Sequence, residues 1–274
     1  MEEPIFQDKN FIIMIDGFIA NIKEILGDNL LSVIISGSVA LGDYIYGKGD
    51  IDFFVVTKAD LTIKDSEEIF RLHDRLREGE LGLFGIQLEG VYCPLLMLQE
   101  PRNYVGLGCY IGTNRKGWKQ ISKSILSSID YFTMGQYSKT VYGKDITKEI
   151  FMPSHDKLRE EIITEIKNSL MYLDEITDVY FSLHLLYFST RSLYTFLNYN
   201  ILSKGKSCIW FVQNFPNSPW VPFVKYTSQY RYPLDEIERE EIDQKYIIEN
   251  APLFLEYVYS MIRDRNNTVD IAGK

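Results

Sequence analysis

Leu31–Thr57 runs LSVIISGSVALGDYIYGKGDIDFFVVT. Val33, Ile34 and Ile35 form a short β-branched apolar run, the pattern of a buried strand. Gly37-Ser38 ends that run, and a second apolar strand, Phe53 to Val56, follows Asp50-Ile51-Asp52. Successive strand side chains point to opposite faces, so Asp50 and Asp52 share one face while Ile51 and Phe53 take the other. Two carboxylates side by side repel each other unless a cation neutralises them. Hard oxygen donors of this kind suit Mg²⁺, which usually arrives with the phosphates of a nucleotide. The plainer alternative is a hairpin whose acids are solvated at the start of a strand.

Apolar residues at helical spacing predict a helix over about 8–26 before this segment, stopped by Gly27-Asp28-Asn29. Asp65 or Ser66 is the expected cap of a second helix reaching Arg77, with Ile69, Leu72 and Leu76 inward. The run Gly85–Pro94, GIQLEGVYCP, then reads as a third strand. It carries Ile86, Leu88 and Tyr92 on one face and Gln87, Glu89 and Val91 on the other. Glu89 is thus a third carboxylate, either an exposed strand acid or a partner of the first two. Tyr110 and Trp118 lie in a glycine-rich loop, where core or hinge roles suit them best. From Ile121 the chain reads largely as one helix, and Tyr142–Asp145 as a turn. Beyond Ser154 strand signals fade. Helices are expected over about 155–173, 178–200, 205–212, 220–230 and 234–265, the last in one piece or two, forming a bundle. His184 reads as a packed helix histidine, and His73 and His155 as surface residues.

The 274 residues carry a net charge of −9 from 29 basic and 38 acidic side chains. Such a balance disfavours binding to nucleic acid, which needs basic surface, and attracts a cationic small molecule. Cys93, Cys109 and Cys208 are widely spaced and form no CxxC pair, as expected of a protein in a reducing cytoplasm. No run is long and apolar enough to span a membrane, and the acidic N-terminus does not read as a secretory signal.

Gly37-Ser38, followed roughly a dozen residues later by Asp50-Ile51-Asp52, resembles the nucleotidyltransferase signature. In the second half, STRSLYTFLNYNILSKGKSCIWF and VKYTSQYR resemble the helical domain of the aminoglycoside 3''- and 9-adenylyltransferases. The resemblance covers nearly the full chain. It implies an α+β protein: an N-terminal nucleotidyltransferase domain over 1–153, a mixed sheet with helices, and a C-terminal all-α helical bundle over 154–274. The bundle would close a cleft for nucleotide and substrate.

The resemblance also implies roles. Gly37 and Ser38 would meet the triphosphate of ATP. Asp50 and Asp52, joined by Glu89, would hold one or two Mg²⁺. Glu89 would be the general base for a hydroxyl of an aminoglycoside-like acceptor. Arg191, Lys204 and Tyr230 would reach the nucleotide from the helical half. The protein expected on this basis is a cytoplasmic monomer.

Two departures stand out. The family commonly has serine before the first aspartate, and Gly49 stands there. Helical turns back from Arg191 give Phe188, His184, Phe181 and Thr177, none acidic, whereas Asp174, Glu175 and Asp178 lie in a shifted register. The nature of the acceptor is affected more than the reaction. The rival readings are a protein-adenylylating enzyme of toxin–antitoxin type, a nucleic-acid polymerase, which the charge disfavours, and a nucleotide-binding protein without catalysis.

Overall fold

The computed structural model describes residues 5–112, 115–173, 178–231 and 233–272, with 266–272 as backbone alone. The chain divides into two compact units, Met1–Pro153 and Ser154–Lys274.

The first unit opens with helix α1 (Lys9–Leu26), capped by the Asp8 carboxylate and ended at Gly27. Strand β1 (Leu30–Ile35), the short helix α2 (Gly37–Ala40) and strand β2 (Ile51–Thr57) follow. Next come α3 (Ile63–Arg77), α4 (Gly82–Ile86), β3 (Leu88–Pro94), α5 (Leu95–Gln99), β4 (Gly108–Ile111), β5 (Lys119–Ile121), α6 (Ser128–Tyr137) and β6 (Lys139–Gly143). The six strands form one mixed sheet in the order β5-β4-β3-β2-β1-β6. β2 and β3 are parallel and joined through α3, whereas the other neighbours are antiparallel.

The sheet is buried on both faces, which is why its central strands are continuous apolar runs rather than alternating ones. Val33, Ile35, Phe53, Val55, Leu88 and Tyr92 pack on one side, where α1 and α3 lie. Ile34, Phe54, Val56, Val91 and Cys93 pack on the other with Met97, Leu98, Tyr131 and Met134 of α5 and α6.

Three expectations are corrected here. The second helix starts three to four residues early, because Thr62 caps it and Asp65 closes a reciprocal capping box. The segment from Ile121 is not one helix. α6 spans ten residues from its own Ser127–Asp130 capping box, and the chain then turns extended at Ser138. Thr140, Val141 and Tyr142 favour a strand, and Lys139, Thr140, Tyr142 and Gly143 pair along the edge of β1 with an irregularity at Val141. Tyr110 lies on a strand, not in a loop.

His73 is also misplaced by the sequence reading. It is fully buried, stacked on Phe53 with ring centroids 5.6 Å apart. Its Nε2 pairs with the Tyr92 hydroxyl at 2.8 Å. Burial, with the Arg77 charge adding to it, pushes its pKa down to about 3. An unfolded chain takes up this proton near pH 6.5, and the folded chain does not until near pH 3. Stability from this residue is therefore complete above pH 6.5 and is lost progressively as pH falls toward 3. By pH 4 the loss amounts to about 3 kcal/mol. Urea unfolding of the parent and of His73→Phe at pH 7 and pH 4 checks this. The drop between the two pH values should be smaller in the variant by about that amount, and an equal drop would refute it.

The second unit is helical. It comprises α7 (His155–Met171), α8 (Val179–Asn198), α9 (Lys204–Asn214), α10 (Val221–Thr227), α11 (Glu236–Glu241) and α12 (Gln244–Ala272). α8 is held against its neighbours by apolar and small side chains, including Leu186, Ser189, Thr190 and Leu193. Phe211, Trp220 and Phe223 meet Phe254 through aromatic ring contacts. His155 is half-buried, its ring 4.7 Å from Tyr199, rather than at the surface. Within the described residues no helix is long and apolar enough to cross a membrane.

Candidate active site

The site is built where β1 ends and β2 and β3 begin. The Ser36 amide donates to the Asp52 carbonyl at 2.8 Å, tying the end of β1 to β2. Gly37 then turns with φ +60°, a left-handed conformation that favours glycine. A Cβ added there would lie 1.7 Å from Asp52 Oδ2. The backbone at Gly37 is thus pressed against the Asp52 carboxylate, and a glycine is needed for space as well as for conformation. Ser38, half-buried, sits in the first turn of α2, and its carbonyl accepts from the Asp43 amide at 2.9 Å. The Ser138 hydroxyl donates to Ser36 Oγ at 2.8 Å, bracing the turn from α6.

Asp52 and Glu89 are direct partners in the parallel ladder of β2 and β3. Paired residues of neighbouring strands point to the same face. Both carboxylates are half-buried. Close approach of the strands here is permitted by Gly90, where a Cβ would stand 2.0 Å from the Phe53 carbonyl. Asp50 lies one residue before β2 and is exposed.

Two neighbouring groups register the charge of these acids. The Tyr110 hydroxyl donates to Glu89 Oε1 at 2.5 Å. Its phenol is held well above the ordinary value, first by burial, then by that hydrogen bond and the charge of Glu89, and then by Asp50 and Asp52. Arg77 Nη2 donates to the carbonyls of Leu88 and Gly112 at 2.8 and 2.9 Å. Burial pushes its guanidinium down, opposed by Glu89 and Asp50. The loop before Asp50 is pinned as well, with the Tyr44 hydroxyl donating to Gln87 Oε1 and the Ile51 amide to the Gln87 carbonyl.

Sequence reasoning gave Tyr110 only a core or hinge role and Arg77 only the end of a helix. The signal for Arg77 was slight, one helix position beyond Leu76. Tyr110 shows its relation to Glu89 only once β4 is laid antiparallel beside β3.

The donor set is oxygen only, which fits a hard cation. Among the described residues no group of three or more His, Cys, Asp or Glu side chains forms a metal cage. Such an arrangement suits Mg²⁺, which is commonly held by one or two carboxylates and completes its shell with water and substrate phosphates.

In the second unit, Arg191 on α8 donates from Nε to the Leu202 carbonyl at 3.2 Å. Lys204 opens α9 directly after its cap, Ser203. His184 still reaches solvent on α8. Desolvation first, then the charges of Lys204 and Arg191, push its imidazole down. Arg191, Lys204 and His184 therefore share one electrostatic neighbourhood. Tyr230 is 8% exposed, packed with Leu183, Leu234 and Ile247. Its carbonyl accepts from the Tyr187 hydroxyl at 2.6 Å. Burial, followed by the bond to Tyr226, raises its phenol. Of the acids near α8, Asp178 is the helix cap, accepting from the Phe181 amide, and Asp174 and Glu175 lie outside the described residues, as does Thr177.

No protein-family model matches the chain, and no curated protein matches it in sequence. Its fold is similar to the crystal structure of spectinomycin adenyltransferase AAD(9) from Enterococcus faecialis with ATP and spectinomycin. The TM-score is 0.64, over 91% of this chain and 98% of that one, at 16% identity. The likeness is one of fold: a mixed sheet with helices, followed by a helical region.

Proposed function

We propose that this protein is a Mg-dependent nucleotidyltransferase. It transfers AMP from ATP to a hydroxyl of an aminoglycoside-like small molecule and releases pyrophosphate. The observation that carries the reading is the pairing of Asp52 with Glu89 across parallel strands, with Gly37 closed down on the Asp52 carboxylate. Evenly matched acids on one face are unfavourable without a counter-charge, and a structural role does not call for them. The fold of an adenyltransferase solved with ATP and spectinomycin supports the same class.

In this reading Asp50 and Asp52 would hold the metal, with Glu89 beside them. Bound Mg²⁺ supplies the positive charge that polarises the α-phosphate. The Gly37 backbone gives the triphosphate room to approach, and the Ser38 hydroxyl donates to a phosphate oxygen. Glu89 takes the proton of the acceptor hydroxyl as its oxygen bonds to the α-phosphorus. The bond from that phosphorus to the β-phosphate oxygen breaks, and pyrophosphate leaves with the electron pair. By the family resemblance alone, Arg191 and Lys204 would neutralise the charge that builds on it, and Tyr230 would support the nucleotide.

The protein is read as a cytoplasmic monomer. Its three cysteines are buried and none is in a disulfide. Burial pushes the Cys93 thiol up to about 12 and the Cys109 thiol up to about 11, so both stay protonated and unreactive.

Pyrophosphate release with Mg-ATP and a panel of aminoglycosides and aminocyclitols tests the activity. Release that depends on one acceptor supports it, and none with any acceptor refutes it. A second expectation concerns the helical unit. Mg-ATP should raise the melting temperature of the full chain, since a ligand at a hundredfold excess over its Kd stabilises by about 2.7 kcal/mol. Lys204→Ala should reduce that rise, and an unchanged rise would remove Lys204 from the nucleotide site.

A further inference from the structure

We infer that Tyr110 is the positioning residue that holds Glu89 in the orientation of a general base, an inference that rests on the reading proposed above. A base must meet its proton at hydrogen-bond distance, and a glutamate side chain has three rotatable bonds with which to miss it. The Tyr110 hydroxyl removes that freedom by bonding Oε1 at 2.5 Å.

The bond comes from a rigid source. Tyr110 is the ladder partner of Val91, two residues along β3 from Glu89 and on the same face. Its ring needs only two torsions to be fixed. β4 is clamped to β3 at this point by Arg77, which bridges the carbonyls of Leu88 and Gly112. The Trp118 indole also donates to Gly112, at 2.9 Å. Gly112 lies against the ring itself, where a Cβ would come 3.3 Å from Tyr110 Cε1. Glu89 is thus flanked by Asp52 on one neighbouring strand and by the Tyr110 hydroxyl from the other. A phenol is a suitable partner because it donates without bringing a second positive charge, so the carboxylate remains able to take a proton.

The test is a double-mutant cycle in the full-length protein, using Tyr110→Phe and Glu89→Ala. Tyr110→Phe removes one oxygen and keeps the ring. With Glu89 present it should lower kcat by roughly 10- to 100-fold, the effect of losing a hydrogen bond to a charged group, and leave the KM for ATP within about twofold. With Glu89→Ala in place it should cost less than about twofold more, because a residue that acts through Glu89 has nothing left to act on.

Urea unfolding of the four proteins without metal or ATP provides a readout independent of turnover. Tyr110→Phe should shift the unfolding midpoint more in the parent than in Glu89→Ala. Equal losses of kcat in both backgrounds, a change in KM alone, or purely additive midpoints would each overturn the inference. A parent protein that releases no pyrophosphate with any acceptor of the panel would remove the enzymatic reading itself, and the role of Tyr110 would fall with it. An active parent with an equally active Tyr110→Phe would sink the positioning role alone.

Discussion

Asp52→Asn is expected to lower pyrophosphate release by on the order of 10³-fold while the fold survives, slightly more stable than before. The two effects have one cause. Asp52 stands in register with Glu89 across β2 and β3, and both carboxylates are half-buried. Like charges directly opposite one another in a ladder are destabilising. Asparagine keeps the volume that Gly37 is shaped around and removes the repulsion, so the urea midpoint should rise. It also removes the anionic oxygen on which the metal and the triphosphate depend, so the rate should collapse. This opposition of stability and activity separates a functional acid from a structural one. A structural Asp52 would give the reverse, a lower midpoint with pyrophosphate release intact, and that pair of results would sink the assignment. The same variant should lose most of the thermal shift that Mg-ATP gives the parent.

How much of this site could be read from the chain follows from the range of the interactions. Asp50, Asp52 and Gly37 were legible because they lie within one local segment. Strand alternation gives the faces, and a glycine where an apolar strand stops gives the turn. Glu89 was legible in its own strand, but its pairing with Asp52 is set by β2 and β3 running parallel, a long-range fact. Tyr110 was not legible. Its bond to Glu89 depends on a four-residue strand with no usable period of its own. The edge strand β6 escaped for a related reason. Its five residues are mostly half-exposed, so no apolar run marks them, and an upstream helix pattern hides the break at Ser138.

His73 is different, because the signal was present and was outweighed by residue type. Ile69, Leu72, His73 and Leu76 stand at the i, i+3, i+4 and i+7 positions of one helix face, all buried. The chain places a titratable ring where an apolar side chain is expected. It meets the cost by stacking that ring on Phe53 and pairing one nitrogen with Tyr92. In the second unit the helices were legible from their period. Tyr230 illustrates what the period does not give. Its ring is packed in the unit's core beside Leu234 and Ile247, so any contact it makes with a nucleotide must come through the little of it that remains exposed.

Glu89→Gln is expected to lower kcat by roughly 10²–10⁴-fold, the range for loss of a general base, while Mg-ATP still binds. The amide keeps the shape of the carboxylate and can still accept from the Tyr110 hydroxyl, so the site around it should hold its geometry. What glutamine cannot do is take a proton from the acceptor hydroxyl. The loss should therefore appear in the chemical step, seen as a slow single turnover, with nucleotide affinity by calorimetry close to that of the parent. The comparison with Asp52→Asn is the informative one. If Asp52 serves the metal and Glu89 serves the proton, the first variant should lose the Mg-ATP thermal shift and the second should keep it. Loss of that shift in both would make Glu89 chiefly a metal ligand. A Glu89→Gln protein that completes its single turnover at the parent rate would remove the base from Glu89, and the acceptor hydroxyl would have to lose its proton directly to water.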